Sequence, residues 1–456
     1  MNSSHKSNLT TITNTIQEES CVVDIFLDLI SENRRGIKKG LYSVCSANSD
    51  VLIACIMQAK ADNSILLIES TSNQVDQFGG YTGMKPADFV SYVYSLCNTI
   101  GFPKNKVLLG GDHLGPNAWQ HLPAQEAMSN AKVLIEEYIK AGYLKIHLDT
   151  SMYCKDDAGD RKNPLDDNIV AERTSFLCKV AEEAWEKYQQ GNPKPIYIVG
   201  TEVPVPGGAQ EKEDEIIPTS PKALTQTVDS IKYSFSQTGL SDAWTRVIGV
   251  VVQPGVEFGD DQVFQYQRKN AAGLSKTITK FDTLVYEAHS TDYQTESNLK
   301  ALVEDHFCIL KVGPWLTFAY REALFALEAM EIEILGKDNP NLSKLRDAIE
   351  KSMLEEPRYW EKYYLGDEKL KLFKRKYSFS DRLRYYWPMV EVDAARNRLF
   401  DNLKKYRIPP SVLSQYMPVQ FNQVCEGLIT TSPKELVYSY IQIVTGKYSR
   451  ACGLSS

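Results

Sequence analysis

The feature that most constrains this chain is an eightfold alternation of short apolar runs with amphipathic stretches. The runs are 41–47 (LYSVCSA), 65–69 (ILLIE), 107–112 (VLLGGD), 143–149 (YLKIHLD), 196–202 (IYIVGTE), 246–253 (RVIGVVVQ), 284–289 (LVYEAH) and 308–313 (CILKVG). They are apolar on consecutive residues, as strands covered on both faces of a parallel sheet require. Helical periodicity runs between them over 86–100, 124–141, 166–189, 221–237, 293–305 and 316–335. Such alternation gives parallel pairing through right-handed crossovers. Eight units over roughly 300 residues predict a closed α/β structure, the (β/α)8 TIM barrel. A doubly wound sheet is the competing arrangement, but the first run ends SVCSANS, with no Gly-rich dinucleotide turn.

After residue 336 the texture changes. GKDNPNLS breaks the pattern, and 343–355, 381–386, 391–406 and 434–446 follow as helix candidates. The segment 357–387 is dense in aromatic and basic residues. The expected organisation is a flexible tail over 1–20, a barrel over 21–336 and a helical C-terminal extension over 337–456 packed on the barrel. The tail is polar, without the apolar centre of a signal peptide. No stretch approaches the roughly 18 apolar residues of a membrane span. A formal charge of -7 argues against general nucleic-acid binding. Nine cysteines without CxxC spacing read as the reduced thiols of a cytoplasmic protein.

Polar residues at the C-terminal ends of barrel strands are the default site, because the βα loops converge there. Three of the six histidines fall at such ends: His113, His147 and His289. Glu202 closes the fifth run. A divalent metal needs neutral imidazole and carboxylate donors on rigid supports, with a position open to substrate. His113, Glu202 and His289 come from the third, fifth and seventh runs, so they can ring an ion; His147 is a further ligand or a substrate contact. His5, His121 and His306 read as structural. Asp112, beside His113, is expected to act as a general acid/base on a substrate hydroxyl, with orientation of an imidazole as the alternative. Asp149 and Glu287 carry the same two possible roles. Glycine-rich turns at 79–83, 110–116, 204–208 and 253–255 offer backbone N–H groups to phosphate oxygens. The candidate substrate or phosphate contacts are Asn73, Gln74, Gly79, Gly80, Ser290, Thr291, Lys311 and Gly313. Arg382 and Arg384 could supply charge from the C-terminal extension, but a solvated helix face is the favoured reading.

The motifs SVCSAN, IESTSNQVDQFGGYTGM, LGGDHLGPN, KIHLDTSM, GTEVPVPGG, VVVQPGVEF, YEAHSTDYQ, LKVGPWLTFA and YSFSDRLRYYWP resemble the Z-type subunits of D-tagatose-1,6-bisphosphate aldolase. The resemblance spans all eight units and the C-terminal segment. That family is similar to class II, zinc-dependent ketose-bisphosphate aldolases. The resemblance implies a catalytic Asp112, with His113, Glu202 and His289 as metal ligands and His147 as a further one. It implies a divalent metal, zinc before Mn2+ or Ni2+, and a phosphorylated ketose substrate. It also implies an oligomer and a possible catalytic Y-type partner subunit.

Two functions follow. One is catalysis at C3–C4, by cleavage of tagatose 1,6-bisphosphate or 4-epimerisation of tagatose 6-phosphate and fructose 6-phosphate. The other is a non-catalytic subunit needed for the activity and stability of the Y partner. A metal-dependent sugar isomerase is a third option. Three histidines and several carboxylates aimed at one cavity favour catalysis, since buried polar groups cost stability unless satisfied.

Overall fold

The computed structural model describes residues 21–161, 163–200 and 216–455. Eight strands form one closed parallel barrel in sequential order. They are β1 (Leu41–Val44), β2 (Leu66–Thr71), β3 (Val107–Leu114), β4 (Lys145–Leu148), β5 (Ile196–Val199), β6 (Val247–Val251), β7 (Val285–Ala288) and β8 (Phe307–Val312). β8 closes on β1, with Leu41 beside Ile309 and Val44 beside Val312. The alternation of apolar runs therefore has the outcome it predicts. Among the described residues, no helix is long and apolar enough to cross a membrane.

Helices over Pro86–Ile100 and Pro221–Gln237 match the periodicity, and those at 124–140, 167–188, 296–304 and 314–335 lie within three residues of it. Up to Leu335, four helices escaped it: Val22–Arg34, Ser49–Ala61, Ser241–Trp244 and Arg268–Ile278. Ser49–Ala61 has a physical reason. It buries Val51, Leu52, Ala54, Cys55, Ile56 and Ala59, so apolar residues surround it and leave no polar stripe to mark a period. Val22–Arg34 packs Phe26 and Ile30 into the apolar cluster that holds Leu41, Leu67, Leu108 and Val285.

Successive strand residues face opposite sides. On β7, Tyr286 and Ala288 join the outer core beneath the helices. Val285 faces inward, and so do Glu287 and His289 two and four residues on. The same step on β4 gives Lys145, His147 and Asp149, and on β2 it gives Leu67, Glu69 and Thr71. The interior is thus apolar at one end and ionic at the other.

Beyond Leu335 the helices are 345–355, 368–377, 390–405, 410–416, 418–425 and 433–451. Glu368–Tyr377 gave no signal because Arg375 is its one buried residue. The aromatic segment packs on itself, with the Tyr359 and Tyr385 rings stacked at 4.9 Å. Pro433–Ala451 returns to the barrel. The Tyr448 hydroxyl donates to the Thr291 carbonyl (2.7 Å), and Ser449 donates to Asp62 (2.7 Å). The Gly40 N–H, just before β1, donates to the Cys452 carbonyl at 3.0 Å.

Candidate metal and substrate site

The site begins with a break in β3. Its register to β4 shifts between Gly111 and Leu114, and His113 takes a left-handed φ of 50°. A non-glycine residue held there costs of order 1 kcal/mol. The kink brings Asp112 and His113, which a regular strand would point apart, to the same cavity. Gly110 is required just below: a Cβ there would lie 2.7 Å from Cγ of Glu69.

The three strand-end imidazoles meet. Ring centroids are 4.8 Å apart for His113 and His289, and 5.2 Å for His147 with each of the others. One ligand atom each from Asp112, His147, Glu287 and His289 lies within 4.8 Å of the rest. Nε2 of His147 is buried and has no hydrogen-bond partner among the described residues. His113 Nδ1 pairs with Asp149 at 2.9 Å, which leaves its Nε2 as the available lone pair.

Beneath the rings lies an ionic layer. Lys145 Nζ bridges Glu69 (2.8 Å) and Glu287 (2.6 Å). Lys311 Nζ reaches Glu69 (2.7 Å), Asp112 (2.9 Å) and Glu287 (3.6 Å). All are buried. Four carboxylates (Glu69, Asp112, Asp149, Glu287) face two ammoniums. The formal surplus is two negative charges when the imidazoles are neutral, as ligands to an ion must be, and one when His113 carries a proton. A buried surplus is costly, and a divalent cation cancels it. The residues fit such an ion on charge and on donor chemistry.

Burial works against ionising Asp112 and Glu287, yet neighbouring cations win. His113 and Lys311 hold Asp112 well below the usual carboxylate range, and Lys145 and Lys311 do so for Glu287. Burial pushes His289 down to about 3, which keeps its ring neutral as a ligand must be. For His113, burial is outweighed by Asp112 and Asp149, and its pKa rises.

A cavity of about 150 Å³ opens above this layer. Asn73, Gln74, Ser290, Lys311 and Gly313 line it with Asp112, His113 and His289. Gly79, Gly80 and Thr291 do not. Gly80 lies against the Gln74 backbone with no room for a side chain, and its N–H donates to Asp76 (2.9 Å). These glycines shape their turn. Thr291 spends its hydroxyl on the Lys311 carbonyl at 2.6 Å.

The expected phosphate cradle on β8 is also spoken for. Lys311 serves three carboxylates, and the N–H groups of Gly313 (3.0 Å) and Trp315 (2.8 Å) donate to Asp292. Burial, partly offset by those donors, raises Asp292 to about 6. Glu202, His5 and the 204–208 turn lie outside the described residues.

Arg382 and Arg384 require a correction. They are not a solvated helix face. Arg382 is 5% exposed, and both guanidiniums line the cavity with Tyr81, Tyr363 and Tyr385. Glu69 and Lys145 also belong to the site and were not among the expected residues. Their signal was present: a charge closing ILLIE, and a lysine two residues before His147 in an apolar run.

The fold and the site together define a (β/α)8-barrel protein whose strand ends gather a His/Asp/Glu cluster that could hold a cation. More narrowly, the chain belongs to the family described as D-tagatose-1,6-bisphosphate aldolase subunit GatZ/KbaZ-like, whose sequence pattern matches residues 26–453. It is similar to a Sinorhizobium meliloti 1021 protein described as a probable tagatose 6 phosphate kinase. The identity is 42%, over 91% of this chain and 100% of that one, with a TM-score of 0.82. Weaker likeness extends to the YdjI aldolase from Escherichia coli K12, at 12% identity over 84% of this chain and 96% of that one (TM-score 0.39). The fructose-bisphosphate aldolase from Campylobacter jejuni also matches at 12%, over 86% of this chain and 100% of that one (TM-score 0.42).

Proposed function

We propose that this chain catalyses metal-dependent chemistry at C3–C4 of a phosphorylated ketose, as a tagatose-type aldolase or a 4-epimerase. The observation that carries the reading is the convergence of three strand-end imidazoles on a buried, carboxylate-rich layer. His113, His147 and His289 would hold the ion, joined by Glu202, which follows β5 in the sequence. When bound, the ion (zinc, with Mn2+ or Ni2+ as alternatives) supplies Lewis acidity to the C2 carbonyl and C3 hydroxyl.

Asp112 takes the proton of the C4 hydroxyl. The freed oxygen pair forms the C4 carbonyl, and the C3–C4 bond breaks with its electrons passing to C3 and the C2 oxygen. Lys311, 2.9 Å from Asp112, fixes that carboxylate. Release of the aldehyde is aldolase chemistry; turning it and re-forming the bond inverts C4. The nine unpaired cysteines suit a cytoplasmic setting.

A second assignment of roles has an observation of its own. Asp112 sits in the tight four-atom group, and His113 does not. Asp112 would then be a ligand and the His113–Asp149 pair would move the proton. Asp112→Asn with unchanged metal content supports the first assignment, and loss of metal supports the second.

The experiment on function itself is to load the purified protein with Zn2+, Mn2+ or Ni2+ and follow tagatose 6-phosphate, fructose 6-phosphate and tagatose 1,6-bisphosphate by NMR. Turnover is expected. Activity that appears only when a Y-type aldolase partner is added would overturn it in favour of a supporting subunit, a role the family's description also suits.

A further inference from the structure

The cavity has two poles. Its floor is the carboxylate-rich layer under the imidazoles. Its outer wall carries two guanidiniums from a segment well beyond the last barrel strand. Cζ of Arg382 lies 3.0 Å from the Tyr363 ring centroid, Nη1 donates to the Tyr359 carbonyl (3.1 Å), and Nε has no partner among the described residues. Arg384 donates to the Ser380 and Asp381 carbonyls and, at 2.9 Å, to the Tyr385 hydroxyl. The Tyr385 ring meets Tyr81 edge-on at 4.7 Å, which ties this wall to the loop after β2.

Among the described residues, neither guanidinium comes within ion-pair distance of a carboxylate. The acidic groups nearby are committed elsewhere: Asp381 to Thr317 and Arg321, and Asp292 to the Gly313 and Trp315 N–H groups. Arg382 and Arg384 are therefore positioned by neutral oxygens and rings, and neither is paired directly with a carboxylate. Two like charges held side by side in a partly dry pocket call for a dianion. A phosphate monoester carries about -1.5 to -2 at neutral pH and offers three acceptor oxygens; a carboxylate carries half that charge.

We infer that Arg382 and Arg384 form the phosphate subsite, so that the C-terminal segment rather than β8 recognises the phosphorylated end of the sugar. This rests on the ketose-phosphate reading above and deepens it. It also selects one phosphate: the other cation lining the cavity among the described residues, Lys311, already serves three carboxylates. The favoured substrate is a ketose monophosphate, with its phosphate on the arginines and its carbonyl end over the imidazoles.

The test is calorimetric titration of zinc-loaded protein with inorganic phosphate, tagatose 6-phosphate, tagatose 1,6-bisphosphate and unphosphorylated tagatose. Wild type is compared with Arg382→Gln and Arg384→Gln, with metal content and melting followed alongside. Each variant is expected to lose about 10- to 100-fold in affinity for phosphate and for the monophosphate, the scale of a lost charge-assisted hydrogen bond. Metal content and binding of plain tagatose should stay as in wild type. Should a Gln variant fail to fold, the Lys variants keep the charge and lose the fork, and a loss of about tenfold is expected.

Affinity within about twofold of wild type in folded variants would overturn the subsite, being far below one such bond. A bisphosphate bound more than about tenfold tighter than the monophosphate would overturn the single-phosphate claim, since tenfold is 1.4 kcal/mol of new contact. Binding is read without turnover. Arginine-dependent binding with no turnover leaves this inference standing and removes the catalytic one; turnover with arginine-independent binding does the reverse.

Discussion

The two ends of the barrel interior are built from the same strands and have opposite chemistry. At the floor, Leu41, Leu67, Leu108, Ile198 and Val285 pack with Phe26 into an apolar cluster. Two residues further along, Ser43, Glu69, Lys145, Glu287 and Lys311 form a buried ionic layer, with the imidazoles above it. The floor stabilises by removing apolar area from water, about 1.5–3 kcal/mol for each large side chain fully buried. The mouth holds charges that a stability argument alone would replace by hydrocarbon. The difference separates what the tube needs to close from the polar groups gathered at its open end.

The sharpest way to break the comparison is at Asp112. Asp112→Asn should lower turnover by about 10²–10⁴-fold, the range for a lost general acid/base, as measured by NMR on the metal-loaded protein. Lys145→Ala leaves Glu69 and Glu287 with Lys311 as their one shared cation and should cost roughly 3–5 kcal/mol in urea unfolding. A smaller loss would mean the mouth is wetter than its burial implies. Chelation comes next. If the cation balances the layer, stripping it should lower unfolding stability by about 3–4 kcal/mol where the ion is present at 100–1,000 times its Kd. A melting curve indifferent to chelator would contradict the charge argument.

Asp292 gives a pH signature at the rim. Its folded pKa, about 6, lies above the ordinary 3.8, so the folded state binds more protons in that window. Its contribution to stability therefore falls as pH rises from 3.8 to about 6. Asp292→Asn should remove that fall, worth up to about 3 kcal/mol, and stability curves for the two proteins should converge below pH 4. A parallel pair of curves would show that Asp292 ionises normally. The smallest effect belongs to the floor: Ile198→Val should cost about 1 kcal/mol with turnover unchanged.

Much of this barrel could be read from the chain because a parallel strand covered on both faces must be apolar residue after residue. The same rule hid part of the site. Lys145 and Glu69 sit within or at the end of such runs and look like exceptions to tolerate, until the step of two from His147 and the inward face of β2 place them inside. The histidines were legible because a polar ring closing an apolar strand is conspicuous. Ser49–Ala61 was not, being buried nearly all round. Arg382 and Arg384 lay furthest from reach. Their sequence context, basic residues among tyrosines, is the same for a wet surface and for a pocket wall. Only the path of the chain after β8 decides between them, and no local pattern encodes that path.

The bond from the Gly40 N–H to the Cys452 carbonyl, with the Tyr448 and Ser449 anchors beside it, bears on how the protein is made. A ribosome delivers residue 40 long before residue 452. The stretch leading into β1 waits, with a main-chain donor unpaired, while every other strand is synthesised. The Thr291 carbonyl after β7 waits likewise for Tyr448. The seam between the first and last strands stays open until β8 has emerged, and its C-terminal anchors are added only at the end. That is the interval in which a chain of this design most depends on protection from its neighbours.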